Sequence, residues 1–288
     1  LYRLDSDALT HWTLRASAMI TGCIILAIAF FLLLEAWPAW REHGGMRFLT
    51  DERWAPTATG EPQAFGLMPM LIGSLAATVG AVLLATPLGV MTALCTRFYA
   101  PRGLDVLARR SVEILAGIPS VIYGFWGLVT LVPIIRAIEP PGASLLAAIL
   151  ILAIMILPTI TLMTDAAIEQ IPREQLAHAA ALGLSRFAMV RSVILPGARQ
   201  GMAAGVILQT GRAIGETMAV LMVAGNVVQT PNSVFDAVRT LTANIALELG
   251  YARDDHRAVL FVTGVLLVVI VAMLVTGARR LERGHTHG

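Results

Sequence analysis

The stretch "GRAIGETMAV", residues 211–220, lies inside an apolar run that extends from residue 200 to residue 228. Arg212 and Glu216 are the only charges in that run. If the run is a helix beginning near Gly201, Arg212 lies about 16 Å along it, at 1.5 Å per residue. That depth is close to the middle of a hydrocarbon core about 30 Å thick. Placing arginine there costs about 2.5–3.5 kcal/mol even on insertion scales, so such a side chain faces a bundle interior or a water-filled path. In an unbroken helix Arg212 and Glu216, four residues apart, emerge from one face and can meet. Two readings follow: a buried ion pair that fixes helix register, or a polar station on a permeation route. The planar guanidinium fork suits an oxyanion.

Working outward, five more stretches are long and apolar enough to cross a bilayer: 16–34, 62–96, 114–135, 140–164 and 258–278, all without charge. The helical part of the second is expected to start near Met68. The 288-residue chain is 57% hydrophobic and only 14% charged, so lipid must solvate much of it. Backbone polar groups in lipid must be satisfied internally, which makes these spans helices. The expectation is an all-α membrane protein with six transmembrane helices. Residues 1–66 supply a first helix and an outer loop, and residues 67–288 a five-helix core. The first apolar segment ends in Leu-Leu-Leu-Glu without a small-residue cleavage site, and reads as a retained span.

Every basic residue is arginine, and the arginines give the orientation. With the N-terminus inside, thirteen fall in cytoplasmic segments against seven outside. The bias places both termini in the cytoplasm. The net charge of +2 gives no reason to invoke nucleic acid. Cys23 and Cys95 lie in the first two spans and indicate neither a disulfide nor a metal site. No cofactor is expected.

Two outer loops follow, 35–66 and 229–257. The first is rich in Trp, Pro and Gly and suits a membrane interface. In the second, Phe235, Val238, Leu241, Ile245 and Leu249 recur at helical spacing, predicting a short helix that either lies on the bilayer surface or dips back to the pathway. Inside, 165–199 is long for a mere connection. Pro172 opens a helix that Gly183 closes, and Ser185 caps a second that Pro196 terminates. Pro87, Pro119 and Pro158 would bend three consecutive spans. Gly201 with Gly205, and Gly211 with Gly215, are small-xxx-small pairs that admit a neighbouring helix.

The cytoplasmic stretch "AHAAALGLSRFAMVRSVILP" resembles the EAA loop of ATP-binding-cassette importer permeases. Gly183, Leu195 and Pro196 fall in register, and Ala179 matches. Ala177 stands where the family usually has Glu, and His178 where it has Ala. "EILAGIPSVIYGFWGL", "AIMILPTIT" and "GRAIGETMAVLMVAGN" resemble the permeases of phosphate importers. "GETMAV" in place of "GETAPL" resembles the C-type of their two related membrane subunits. The resemblance implies the type I importer fold in the bacterial inner membrane. It implies pairing with an A-type sister permease, two copies of a cytoplasmic ATP-binding subunit, and a periplasmic phosphate-binding protein. The chain has neither lysine nor a phosphate loop, so ATP hydrolysis would belong to a partner. On this reading Arg212 bonds phosphate in transit and Glu216 orients Arg212. Thr217, Ser120 and Tyr123 are further pathway candidates, and residues 177–179 with Gly183, Leu195 and Pro196 couple to the ATPase. The alternatives are a permease for sulfate or molybdate, or a membrane-embedded enzyme built on Arg212 and Glu216.

Overall fold

The computed structural model describes residues 2–45, 47–57, 63–101 and 103–284. Part of the first outer loop, 58–62, and Arg102 lie outside the described residues. The chain opens with α1 (Tyr2–His43), followed by the single turn α2 (Arg47–Thr50). A two-residue antiparallel ribbon, β1 (Trp54–Ala55) and β2 (Ala64–Phe65), pairs Trp54 with Phe65. Then come α3 (Met68–Leu94), α4 (Leu104–Ala116), α5 (Ser120–Trp126), α6 (Val132–Ile138) and α7 (Leu145–Glu169). The remainder is α8 (Arg173–Ala181), α9 (Arg186–Met189), α10 (Leu195–Ile214), α11 (Met218–Val223), α12 (Leu241–Glu248) and α13 (Asp254–Gly284).

Five helical segments are long and apolar enough to cross a membrane: Thr10–Glu42, Met68–Tyr99, Ser120–Ile138, Leu145–Glu169 and Asp254–Gly277. The second does begin at Met68. The third corrects the expected 114–135 span: Gly117, Ile118 and Pro119 divide α4 from α5. Pro119 is the residue before α5 rather than a kink inside a span, because it has no N–H to give an upstream carbonyl. The expected fifth span, 200–228, is not one helix. It divides into α10 and α11, and beyond α11 the chain runs as an extended loop.

Pro196 also departs from its expected role as terminator. The chain stays helical from α9 through a π-turn, Val190–Ile194, into α10, with Leu195 at φ −60° and ψ −45°. Pro133 is admitted in the same way behind the π-turn Gly127–Leu131. Each proline sits at the start of a regular segment, just after a turn already re-registered to i→i+5.

α7 is the hub, packing on α3, α10, α4 and α11. Glycines make the close approaches. A Cβ at Gly89 would meet Ile160, one at Gly201 would lie 2.5 Å from Ala167, and one at Gly205 would lie 3.0 Å from Met163. The first small-xxx-small pair therefore seats α10 on α7. The second does not: the nearest atom to a Cβ on Gly211 is Val271 at 4.0 Å, and Gly215 meets only its own helix end. α1 stands to one side against α13, where Phe31 meets Phe261 edge-on at 5.7 Å.

Candidate functional site

α10 stops at Ile214, and this overturns the shared helical face expected of Arg212 and Glu216. Gly215 ends the helix with φ −85° and ψ −4°. The Glu216 amide turns back to the Ala213 carbonyl at 3.2 Å, a tightened last turn of the kind that finishes helices. Arg212 is thus in the last turn of α10 and Glu216 lies beyond it. The Glu216 carboxylate accepts the Ala219 amide N–H at 3.2 Å, capping α11. Among the described residues no ion pair joins Arg212 to Glu216 or to any other side chain. Each charge instead complements the nearer helix end, arginine at a C-terminus and glutamate at an N-terminus.

Arg212 is exposed on the surface of this single chain, while Glu216 and Thr217 are half-buried. Thr217 leads into α11, and its hydroxyl donates to the Gly215 carbonyl at 3.4 Å. The break is level with the middle of α7, since Arg212 and Thr159 line one cavity of about 550 Å³ between α7, α10 and α13. Two enclosed oxygens at this cavity, Thr159 Oγ1 and Gln209 Oε1, have no hydrogen-bond partner. Gln209 lies three residues before Arg212, and no motif in the sequence marks it.

The other pathway candidates approach from α5. A Cβ on Gly124 would lie 2.8 Å from Ala219 Cα, so α5 is pressed against α11 just past the break. Tyr123 is buried beside it, and its hydroxyl donates to the Leu115 carbonyl at 2.7 Å, bridging α4 and α5. Tyr123 packs in one buried cluster with Ala213 and Ala219, the residues that flank the break. Ser120, half-buried, is the first residue of α5. The structure therefore gathers Arg212, Glu216, Thr217 and Tyr123 around one break and leaves Ser120 one turn behind Tyr123.

Residues after α11 close over the break. Gly225, at φ +86°, and Asn226, at φ +57°, turn the chain back, and a side chain on Gly225 would strike Ala237. The predicted amphipathic helix is shorter than its pattern suggests: Phe235 and Val238 belong to the extended loop, and only Leu241–Glu248 is helical. It does dip inward. Leu241 and Ala243 are fully buried, and the Thr242 hydroxyl donates to the Glu216 carbonyl at 2.8 Å.

The end bearing α8 and α9 has the expected two-helix form. α8 follows Pro172, and Gly183 at φ +73° supplies the left-handed turn after it. The Ser185 hydroxyl accepts the Ala188 amide N–H at 3.3 Å. Ala177 and His178 point outward while Ala179 is buried. Leu182, 80% exposed, and Phe187, 68% exposed, form an apolar tip that the motif did not single out. The underside packs Ile168, Ile171, Val190 and Ile194 together, with Leu195 at the edge. Nearby, Asp165 on α7 takes Arg97 at 2.7 Å and Arg109 of α4 at 2.6 Å. The Arg186 guanidinium donates to the Phe98 carbonyl at 3.3 Å, tying α9 to the end of α3. Asp105 at the start of α4 accepts the Gly103 amide at 2.8 Å, which holds its carboxyl below the usual range.

The chain as a whole is similar to known proteins. Residues 85–284 match the family "Binding-protein-dependent transport system inner membrane component". The chain is 34% identical over 296 residues to a "Phosphate transport system permease protein PstC" of Mesorhizobium japonicum, covering 95% of this chain and 89% of that one. It is 34% identical over 280 residues to a "Probable ABC transporter permease protein YqgH" of Bacillus subtilis, covering 93% and 90%. Among solved structures, inward-facing MetNI methionine ABC transporter superposes with TM-score 0.59 at 25% identity, over 76% of this chain and 94% of that one. A bacterial alginate ABC transporter superposes with TM-score 0.69 at 15% identity over 98% of both chains, a likeness of fold.

Proposed function

The chain belongs to the family of binding-protein-dependent transport system inner membrane components, and we propose on that basis that it is the transmembrane permease subunit of an ATP-driven phosphate importer. It is a multi-pass protein of the bacterial inner membrane, and ATP hydrolysis belongs to its partners. It works with ATP-binding subunits and a periplasmic binding protein, here one specific for phosphate. A sister permease of the A-type completes the pathway, and two copies of the ATP-binding subunit sit below. The end bearing α8 and α9 faces the cytoplasm together with both termini. α10 and α11 jointly make the fifth of six spans, broken at 215–217. Residues 1–66 are an added helix and periplasmic loop on the five-helix core 67–288.

The observation that carries this reading is the Arg212 guanidinium, without an ion-pair partner among the described residues, at a helix break level with the middle of α7. An arginine in an apolar bundle is costly, and one with no carboxylate partner calls for a counter-charge from elsewhere. Transporter substrate sites are built at such discontinuous helices. A phosphate passing the break would receive charge-assisted hydrogen bonds from Arg212, with Thr217, Tyr123 and Ser120 along the route. At the other end, Leu182, Phe187 and the exposed side of α8 present the ATPase-docking surface. Ala179, Gly183, Leu195 and Pro196 shape it from beneath, and Ala177 and His178 lie on its face.

The test is co-purification followed by reconstitution. The chain should bring down a second permease and an ATP-binding subunit. Vesicles holding the complex should take up phosphate with ATP and binding protein, and excess sulfate or molybdate should not compete. Uptake of sulfate or molybdate in preference to phosphate would overturn the substrate assignment.

A further inference from the structure

No proline occurs between Pro196 and Pro231, so nothing covalent forbids α10 from running straight through residue 215 into α11. The broken form is held by one bond from a distant segment and one local cap. The Glu216 carbonyl, which would be an acceptor inside an unbroken helix, takes the Thr242 hydroxyl at 2.8 Å. The Glu216 carboxylate takes the Ala219 amide at 3.2 Å. In an apolar bundle a carbonyl released from helical bonding must find another donor. Thr242 is that donor.

Thr242 can do this because α12 is pinned at both ends. Near its start, the Leu241 amide donates to Ser74 Oγ of α3 at 2.9 Å. Thr240 Oγ1 caps the helix through the Ala243 amide at 3.3 Å. At its far end the buried Glu248 carboxylate accepts Arg239 at 2.6 Å and the Trp54 indole N–H at 3.0 Å. His256 Nε2 lies 2.8 Å from the same carboxylate. The Arg239 Nε–H donates to the Asn226 carbonyl at 2.9 Å, tying in the turn after α11. A buried carboxylate is tolerated when its lone pairs are met, and β1, the loop before α12, and α13 all contribute. Eight residues of helix span about 12 Å, a stiff connection between that cluster and the break.

We propose that α12 is a strut whose Thr242 hydroxyl selects the broken form of the α10–α11 span, and that this keeps Arg212 available to the substrate. In the alternative form the helix is continuous, Arg212 and Glu216 fall four residues apart on one face, and their ion pair masks the guanidinium. Thr242 is a positioning residue: it acts on Arg212 through the backbone at Glu216. The inference rests on the reading that Arg212 meets phosphate, and the experiment separates the two.

Phosphate uptake is measured in vesicles holding the whole transporter with its binding protein and ATP. Thr242→Val removes the hydroxyl and should lower maximal uptake by about fivefold, the worth of one hydrogen bond. Thr242→Ser should restore it. Glu216→Gln placed in the Thr242→Val background should recover uptake, because a neutral amide cannot hold the masking ion pair. That recovery would not follow if Thr242 served packing alone. Where Val lowers complex yield, Thr242→Ala makes the same test with a smaller side chain. Wild-type uptake by Thr242→Val, or a defect that Glu216→Gln leaves untouched, overturns the strut. Loss of uptake in Arg212→Gln alongside normal Thr242→Val would overturn the strut alone, whereas full uptake in Arg212→Gln would overturn the substrate reading beneath it.

Discussion

Arg212 and Glu216 stand on opposite sides of a helix break, the arginine in the last turn of α10 and the carboxylate capping the Ala219 amide at 3.2 Å. The two side chains therefore have separate structural duties and separate expected effects. Glu216→Gln keeps an acceptor for the Ala219 amide, so complex yield should hold. Glu216→Ala removes the cap, and lost N-caps cost about 0.5–2 kcal/mol. Thermal unfolding of the purified complex checks this. Equal stability for the Ala and Gln variants would show that the cap contributes nothing.

At the opposite end lies the apolar tip of Leu182 and Phe187, the proposed docking surface. Leu182→Asp or Phe187→Asp, at positions 80% and 68% exposed, should leave the permease folded but reduce recovery of the ATP-binding subunit. Gly183→Val should do the same by another route, because φ +73° costs a β-branched residue about 1–2 kcal/mol. Pull-down of the ATPase against total permease reads both effects. Undiminished ATPase recovery in all three would remove α8 and α9 from the interface.

Asp165 joins Arg97 of the α3 end to Arg109 of α4, at 2.7 and 2.6 Å. Its side chain is 13% exposed, so Asp165→Asn leaves two neighbouring arginines without the carboxylate they share. Breaking a poorly solvated pair can cost about 3–5 kcal/mol, and partial exposure of both arginines reduces that here. The variant should lower thermal stability of the complex, and Asp165→Glu should recover part of the loss. Unchanged stability in Asp165→Asn would mean that solvent already screens both arginines.

Glycine spacing separates the two small-residue pairs. Gly201→Leu drives a side chain into Ala167, and overpacking of this kind costs about 1–3 kcal/mol, so assembly should fall. Gly211→Leu meets only open space out to Val271 at 4.0 Å, and assembly should survive. Detergent-extracted yield of the complex distinguishes them. The reverse order would mean that α10 packs on α7 through a different face.

The helical class, the start of α3 at Met68 and the caps around Pro172, Gly183 and Ser185 were legible because each rests on local chemistry. Hydrophobic length, a missing proline N–H and a side-chain cap all act within a few residues. The break at 215–217 was not legible, for a physical reason. Nothing in "GRAIGETMAV" forbids a continuous helix; the break is held in part by Thr242, 26 residues further on. Helical periodicity likewise ran on through Phe235 and Val238, where backbone pairing with residues near Ser144 and Gly225 prevails. Thr242, Gln209 and Asp165 carried no motif that would single them out. Arg212 did, because charge in an apolar run is conspicuous whatever its geometry.

Phosphate uptake by the complete transporter carrying Arg212→Gln, measured beside complex yield, bears most directly on the account. Arg212 has no ion-pair partner among the described residues, so its neutralisation leaves no orphaned carboxylate and the complex should assemble normally. Charge-assisted hydrogen bonds are worth about 1.5–3 kcal/mol, so uptake should fall by about 10- to 100-fold. Adding Glu216→Gln should not restore it. Uptake near the wild-type rate in Arg212→Gln, with the complex intact, would contradict the claim that Arg212 serves the substrate.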